Sequence, residues 1–227
     1  MRLNIACGPN VFPSEKWINY DREDMRGYFS DLKRFISFVG MPEHQVKLTK
    51  YLQGGGKIDF HIKDVRVGFK EEHGDGTVDA IYLGQMIEHL NPIYEAPTLI
   101  AECKRMLRPG GVLKITTPDL DLLINAYKNG EMGKFVNEQP AFYKDADQSA
   151  QLAMLMYGAC GQHCTWDNYE GHMFLYTKES MTNLLVKGGF KAPFTFYSEG
   201  GMSKDRIMAE EGVDAGMSHS LAVEAVA

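Results

Sequence analysis

From its first residues the chain sets short hydrophobic runs between small and polar turns. Residues 2–6 (RLNIA) and 16–20 (KWINY) are β-favouring stretches joined by a loop that carries Gly8, Pro9, Asn10 and Pro13. Only residues 7–15 lie between them, fewer than the dozen or so of an ordinary parallel crossover, so any helix there is expected to be short or irregular. Next, SDLKRFISFVG places Leu32, Phe35, Ile36 and Val39 at helical spacing with Ser30 as a candidate cap. QGGGK then predicts a loop, IDFHIKDV a strand and EEHGDGT a turn.

VDAIYLG is apolar nearly throughout, as suits a strand in the middle of a sheet covered on both faces. TLIAECKRML puts Leu99, Cys103, Met106 and Leu107 on one helical stripe, RPGG is expected to end that helix, and VLKITTPDL predicts a further strand. Strand, helix and strand alternate with Gly or Pro at the junctions, which predicts an α/β fold with a mostly parallel sheet. Residues 119–171 interrupt the alternation: DLDLLINAYKNG and DQSAQLAMLMYGA have helical periodicity, and QHCTWDNYEGH is a polar, aromatic loop. TKESMTNLLVKGGF reads as an amphipathic helix with a Thr177 to Ser180 capping region and a Gly188-Gly189 stop, followed by two late strands in APFTFYSE and SLAVEAVA.

At 227 residues and 44% hydrophobic, with no low-complexity linker, the chain is expected to form a single domain over residues 1–227. No apolar run approaches the ~20 residues of a membrane span, and the N-terminus does not resemble a signal peptide, so a cytoplasmic location is expected. The four cysteines, Cys7, Cys103, Cys160 and Cys164, are too few and too irregular for a disulfide framework and predict reduced thiols. A net charge of -6 argues against a nucleic-acid partner, which would require clustered Lys and Arg, and favours a small-molecule or carbohydrate one. Oligomeric state is not legible.

The first loop lies where an open parallel sheet binds ligands, at the carboxyl end of its first strand. A dinucleotide loop needs G-x-G-x-x-G, but Ala6-Cys7-Gly8-Pro9-Asn10 has one Gly and a Pro that removes an amide, which disfavours a nicotinamide cofactor. Asp21, at the end of the second stretch, is placed to accept hydrogen bonds from ribose hydroxyls. Taken alone, the loop is equally consistent with an ordinary strand-to-helix turn.

It does not stand alone. LNIACGPN, WINYD, KDVR, DGTVDAIYLGQMIEHL, ECKRMLRPGGVLKITTPDL, GHMFLYTKESMTNLLVKGGF and SLAVEA follow one another in the order found in class I S-adenosylmethionine-dependent methyltransferases. They resemble in particular the small type 11-like members associated with polysaccharide and lipopolysaccharide biosynthesis. The resemblance implies a Rossmann-like fold, a mostly parallel central sheet flanked by helices, with insertions after strands 2 and 5. It implies S-adenosylmethionine as cofactor, with Ala6, Cys7 and Gly8 along its methionine part, Asp21 at the ribose, Asp64 and Val65 on the adenine side, and Leu83, Gly84 and Gln85 beneath the sulfonium. Ala6 departs from the family pattern, which usually has Gly there, so a methyl group must fit beside the cofactor.

The same resemblance implies methyl transfer to an acceptor, a small molecule or saccharide, with O-methylation of a sugar or polysaccharide precursor as the leading expectation. N-methylation, another small-metabolite acceptor, or an inactive cofactor-binding partner subunit are the alternatives. A hydroxyl acceptor needs a base, and His172, within Trp166-Asp167-Asn168-Tyr169-Glu170-Gly171-His172, is the first candidate, against a packing role before a helix. His89, after Glu88, is the second, as an active-site wall, with Glu88 structural; His163 and Asp167 are weaker. Trp166 and Tyr169 are expected to face the acceptor, whereas Asp119 is placed on the substrate side, where with Asp121 it could hold a divalent ion as in some sugar methyltransferases, or equally caps a helix. Cys160, His163, Cys164 and His172 form an incomplete zinc pattern lacking a second compact pair, so no metal is expected. Since the chain begins directly at its first strand, residues 24–56 and 120–172 are expected to cover the substrate.

Overall fold

The computed structural model describes residues 1–6, 11–12, 16–22, 54–136, 144–158, 171–197 and 219–227. The predicted helix over residues 30–40, the Cys7-Gly8 part of the first loop, and Cys160, His163, Cys164, Trp166, Asp167 and Tyr169 lie outside them.

Among the described residues, seven strands form one sheet: β1 (Arg2–Ile5), β2 (Trp17–Asp21), β3 (Asp59–Ile62), β4 (Val78–Gly84), β5 (Leu107–Pro118), β6 (Thr195–Tyr197) and β7 (Ser220–Val226). Their spatial order is β3-β2-β1-β4-β5-β7-β6. β1 to β5 are mutually parallel, and β7 runs antiparallel between β5 and β6. Among the described residues the α-helices are α1 (Glu95–Met106), α2 (Leu120–Lys128), α3 (Gly133–Val136), α4 (Gln148–Met156) and α5 (Lys178–Lys187). This is the mostly parallel α/β sheet expected from the alternation of patterns, in the Rossmann-like arrangement that the family resemblance implies.

Burial follows chemistry. All of β1 is buried, as are five of the seven residues of β4, because both strands sit mid-sheet with covered faces. α1 turns Ala96, Leu99, Ile100, Cys103 and Met106 inward, and α5 adds Met181, Leu184 and Leu185 to the same core. α5 begins with the predicted cap: Thr177 Oγ1 accepts from Ser180 N at 3.1 Å, while Ser180 Oγ accepts from Thr177 N at 2.9 Å.

The helix stops at the RPGG run as expected, and the run itself also lies within a strand. α1 ends at Met106 and β5 starts at once, with Arg108 to Gly110 exposed within its span and the register to β4 shifting between Val78 and Ala80. Long-range pairing accounts for this: Gly110 N donates to Ala227 O at 3.0 Å, and Ala227 N donates to Gly111 O at 2.8 Å. The partner strand therefore carries the run that ends α1 as a bulge. Between β5 and α5, the helices α2, α3 and α4 bury a small core of their own, built on Leu123, Ala126, Met132, Phe135, Val136 and Leu155.

Candidate functional site

Chain order reverses direction between β1 and β4: β1 continues outward to β2, whereas β4 continues the other way to β5. Such a switch point opens a crevice at the carboxyl ends of the strands. The two strands stay paired through Ile5 and Leu83. Then both chains turn through the left-handed region, Ala6 at φ 53° and Gln85 at φ 51°, conformations uncommon for residues with a Cβ. Gln85 remains tied to β5 and β7, its N donating to Thr116 O at 2.8 Å and its Nε2 to Ser220 Oγ at 2.8 Å. Ala6 takes the other side of the cleft. Leu83 is fully buried beneath it, and Gly84 needs its lack of side chain, since a Cβ there would lie 2.7 Å from the ring of Tyr82.

Asp21 ends β2 half-buried at the same edge, its carbonyl accepting from Lys63 N at 2.7 Å. Asp64 follows β3 and caps a single 3-10 turn, Val65–Val67, with its Oδ1 accepting from Arg66 N at 2.9 Å. The Arg66 guanidinium also binds both carboxylate oxygens and holds the acid below its ordinary pKa. Buried Val65 stands beside it. Left-handed backbone at Ala6 and Gln85 frames the crevice, and the acid Asp21 stands at the end of β2.

Of the acceptor-side candidates, His89 and His172 meet beside the turn that follows β4. After β4 the chain makes a 3-10 turn, Ile87–His89, which buries Glu88 completely and leaves His89 exposed. Glu88 Oε2 accepts from Thr117 Oγ1, at the end of β5, at 3.0 Å. Its other oxygen, Oε1, accepts no hydrogen bond from any described residue and lies 3.9 Å from His172 Nε2. Residues 171–174 are strapped onto the turn, with Met173 N and Phe174 N donating to Glu88 O at 2.7 and 3.1 Å. The Glu88 backbone thus has the structural role foreseen for it, while its side chain joins the site.

Both imidazoles are anchored through one nitrogen. His172 Nδ1 pairs with Met156 O at 3.1 Å, and His89 Nδ1 with Gly171 O at 3.2 Å. Since a carbonyl only accepts, Nδ1 carries the proton in each ring and the lone pair sits on Nε2. The rings meet edge to face, centroids 5.0 Å apart. Burial pushes the Glu88 carboxyl up to about 8. Burial, aided by the neighbouring His89, pushes the His172 imidazole down to about 4. Nearby, the buried Tyr176 hydroxyl and His219 Nδ1 have no hydrogen-bond partner among the described residues.

Asp119 is buried and its Oδ1 accepts from Leu122 N at 3.1 Å, so it caps α2. The sequence does not single out the Glu88 side chain, Thr117 or His219, and offers Tyr176 only as one of several aromatics between residues 127 and 176. The adjacency of Glu88 to His89 was the one available signal, since what makes Glu88 unusual is contact with residues distant in sequence.

A family model described as a methyltransferase domain matches residues 9–192. None of the curated proteins matches the chain. Among solved structures, an S-adenosylmethionine-dependent methyltransferase from Methanosarcina mazei is 13% identical, with 99% of this chain and 91% of that one covered at a TM-score of 0.51. The S-adenosylmethionine-dependent methyltransferase SibL is 14% identical, with 99% and 49% covered at a TM-score of 0.51. A further one from Archaeoglobus fulgidus is 14% identical, with 100% and 85% covered at 0.48. At such identities the structural likeness speaks for the fold alone, and it is the family model, spanning most of the chain, that assigns membership. The chain belongs to the methyltransferase domain family and is an S-adenosylmethionine-dependent methyltransferase.

Proposed function

We propose that the chain methylates a hydroxyl of a small acceptor, with a sugar or polysaccharide precursor as the leading class. Bound at the β1/β4 crevice, S-adenosylmethionine supplies a methyl group on a sulfonium that departs as a neutral thioether. Ala6, with Cys7 and Gly8 beyond it, would flank the methionine part, Asp21 the ribose, Asp64 and Val65 the adenine, and Leu83, Gly84 and Gln85 the sulfonium. His89 and His172 would line the acceptor side, with Trp166 and Tyr169 facing the acceptor and residues 24–56 and 120–172 covering it.

The observation that carries the reading is the pair of histidines whose anchored Nδ1 atoms leave Nε2 as the basic nitrogen, beside the turn that follows β4. An alcohol has to lose its proton as it attacks, and a positioned group that assists contributes about 10²- to 10⁴-fold. An amine acceptor, unprotonated, would not require such a cluster.

Mass spectrometry tests this by looking for the mass gain of one methylene across nucleotide sugars, glycans and amine controls incubated with S-adenosylmethionine. Gain on hydroxyl acceptors, cut strongly in His172→Ala with cofactor affinity kept, is expected. Gain confined to amines, or unchanged turnover in His172→Ala, would overturn the reading.

A further inference from the structure

His172 raises a geometric problem as a base. Its one basic nitrogen, Nε2, faces the Glu88 carboxyl at 3.9 Å. That is too long for a hydrogen bond. Yet Glu88 Oε1 is fully buried, aimed at the imidazole, and accepts nothing from any described residue. A buried carboxyl oxygen without a partner costs stability, so the arrangement calls for something between the two groups.

The distance suits an ion. Two donors each ~2.0–2.2 Å from a shared cation stand about 3.4 Å apart at a tetrahedral angle and never more than about 4.4 Å. One ligand atom from each of Glu88, His89 and His172 lies within 4.8 Å of the other two, so a point within about 2.8 Å of all three exists, and closing by less than about 1 Å reaches bonding distance.

The outer partners point the same way. A ligating histidine almost always donates its second ring N–H to a carbonyl or carboxylate, which fixes the tautomer that ligates. Here both histidines do so, to Met156 O and Gly171 O, and the carboxylate is steadied by Thr117 Oγ1 on the oxygen that does not face the site. Two imidazoles and a carboxylate form a donor set that suits zinc-class cations and, with three protein ligands, leaves a position open. Its exposed member is His89, so the open position is on the solvent side.

We propose that Glu88 Oε1, His89 Nε2 and His172 Nε2 bind one divalent cation of the zinc class, whose open position takes the acceptor's oxygen. This rests on the reading of the cluster as the acceptor side of the methyltransferase. The cation stabilises the alkoxide form of the acceptor. The O–H bond breaks with its electron pair left on oxygen and the proton passing to solvent. The O–C bond forms as the C–S bond breaks with its pair on sulfur, and the cation's oxidation state does not change. His172 is then a ligand rather than the base, and the cysteine-containing zinc pattern at residues 160–164 is not the site.

Titration of the chelator-stripped full chain with cobalt(II), followed by visible absorption and by metal content per chain, tests the site. One cobalt per chain with a nitrogen-and-oxygen spectrum and no thiolate charge-transfer band is expected. His89→Ala and His172→Ala should each weaken binding by more than the ~10–100-fold that Thr117→Val, which removes an outer partner, should cost. Cys160→Ser with Cys164→Ser should leave it unchanged. Failure of the wild-type chain to bind stoichiometric cobalt, a thiolate band, or binding that survives both histidine variants would overturn the proposal without depending on how any variant folds. Stripped protein that still methylates a hydroxyl at the full rate while binding no cobalt would remove the cation site and keep the transferase reading; cobalt bound as expected with no hydroxyl acceptor methylated would do the reverse.

Discussion

Gly158→Ala probes the position of His172 without touching the ring itself. Gly158 follows the end of α4 at φ 69°, and a Cβ there would lie 2.6 Å from His172 Cδ2 and Nε2 and 3.0 Å from Cε1. Ordinary carbon contacts are ~3.5–4.0 Å, so the imidazole has to retreat by about 1 Å. The left-handed conformation costs an alanine ~1–2 kcal/mol. Losing the bond from His172 Nδ1 to Met156 O adds about 1 kcal/mol, and reduced freedom of the unfolded chain returns ~0.4–1 kcal/mol. The net loss is about 2 kcal/mol, or ~4–8 °C in Tm for a chain of this size. Gly110→Ala is the control: φ is 76° with nothing within 4 Å of the added Cβ. It keeps only the backbone cost less the entropy return, about 1 kcal/mol or ~2–4 °C. Turnover should separate the two further, since a 1 Å misplacement costs up to ~10²-fold. Thermal unfolding by circular dichroism and initial rates of methyl transfer provide the readouts. Equal losses of stability and no difference in rate between the two variants would refute both the contact and the role assigned to His172.

Ala6→Gly removes a Cβ from a left-handed residue at the crevice and should hold or tighten S-adenosylmethionine affinity, read by thermal-shift titration; tenfold weaker binding would mean that the methyl group itself makes a contact worth about 1.4 kcal/mol. His219 is 3% exposed, and burial lowers its imidazole from 6.5 to about 4. Between those values the unfolded chain binds the proton and the folded one does not, so stability falls as pH drops from 6.5 towards 4, by about 3 kcal/mol from this group. His219→Leu should flatten that part of the profile in urea titrations at stepped pH, and an unaltered slope would contradict the burial assignment. Thr177→Ala removes one half of the α5 capping box and should cost about 1 kcal/mol, or ~2–4 °C in Tm, with cofactor affinity kept.

The parts of the fold that were legible in the sequence are those fixed by local chemistry or by burial on both faces. VDAIYLG could be read because a central strand has no polar face, and α5 because Thr177, Ser180 and Gly188 mark its ends whatever packs beside it. RPGG was read as a stop because proline and glycine act locally, whereas its strand character comes from the main chain of Ala227, a partner that periodicity does not reveal. The residues proposed for the cofactor side were legible for a related reason: Asp21 and Gly84 end their strands, Ala6 follows β1 at once, and Asp64 lies two residues past β3. His172 and His89 could be named from sequence, but their chemistry depends on Met156 O, Gly171 O and Glu88 Oε1, which only the folded chain supplies.

The site therefore has two halves held by different bodies. Glu88 is positioned by the sheet, through Thr117 at the end of β5. His172 is positioned by the inserted helices, because Met156 O takes its ring nitrogen and Tyr157 O takes its main-chain N–H at 3.1 Å. Those helices are steadied by their own core around Leu123, Phe135 and Leu155 rather than by the one under the sheet. Loosening that small core would move His172 relative to Glu88 while leaving Ala6, Asp21 and Gln85 in place, so under the proposed assignment acceptor chemistry and cofactor binding vary separately. A change in the 120–172 insertion should accordingly act on turnover before it acts on S-adenosylmethionine affinity, whereas a change in β1 or β4 should act on both together.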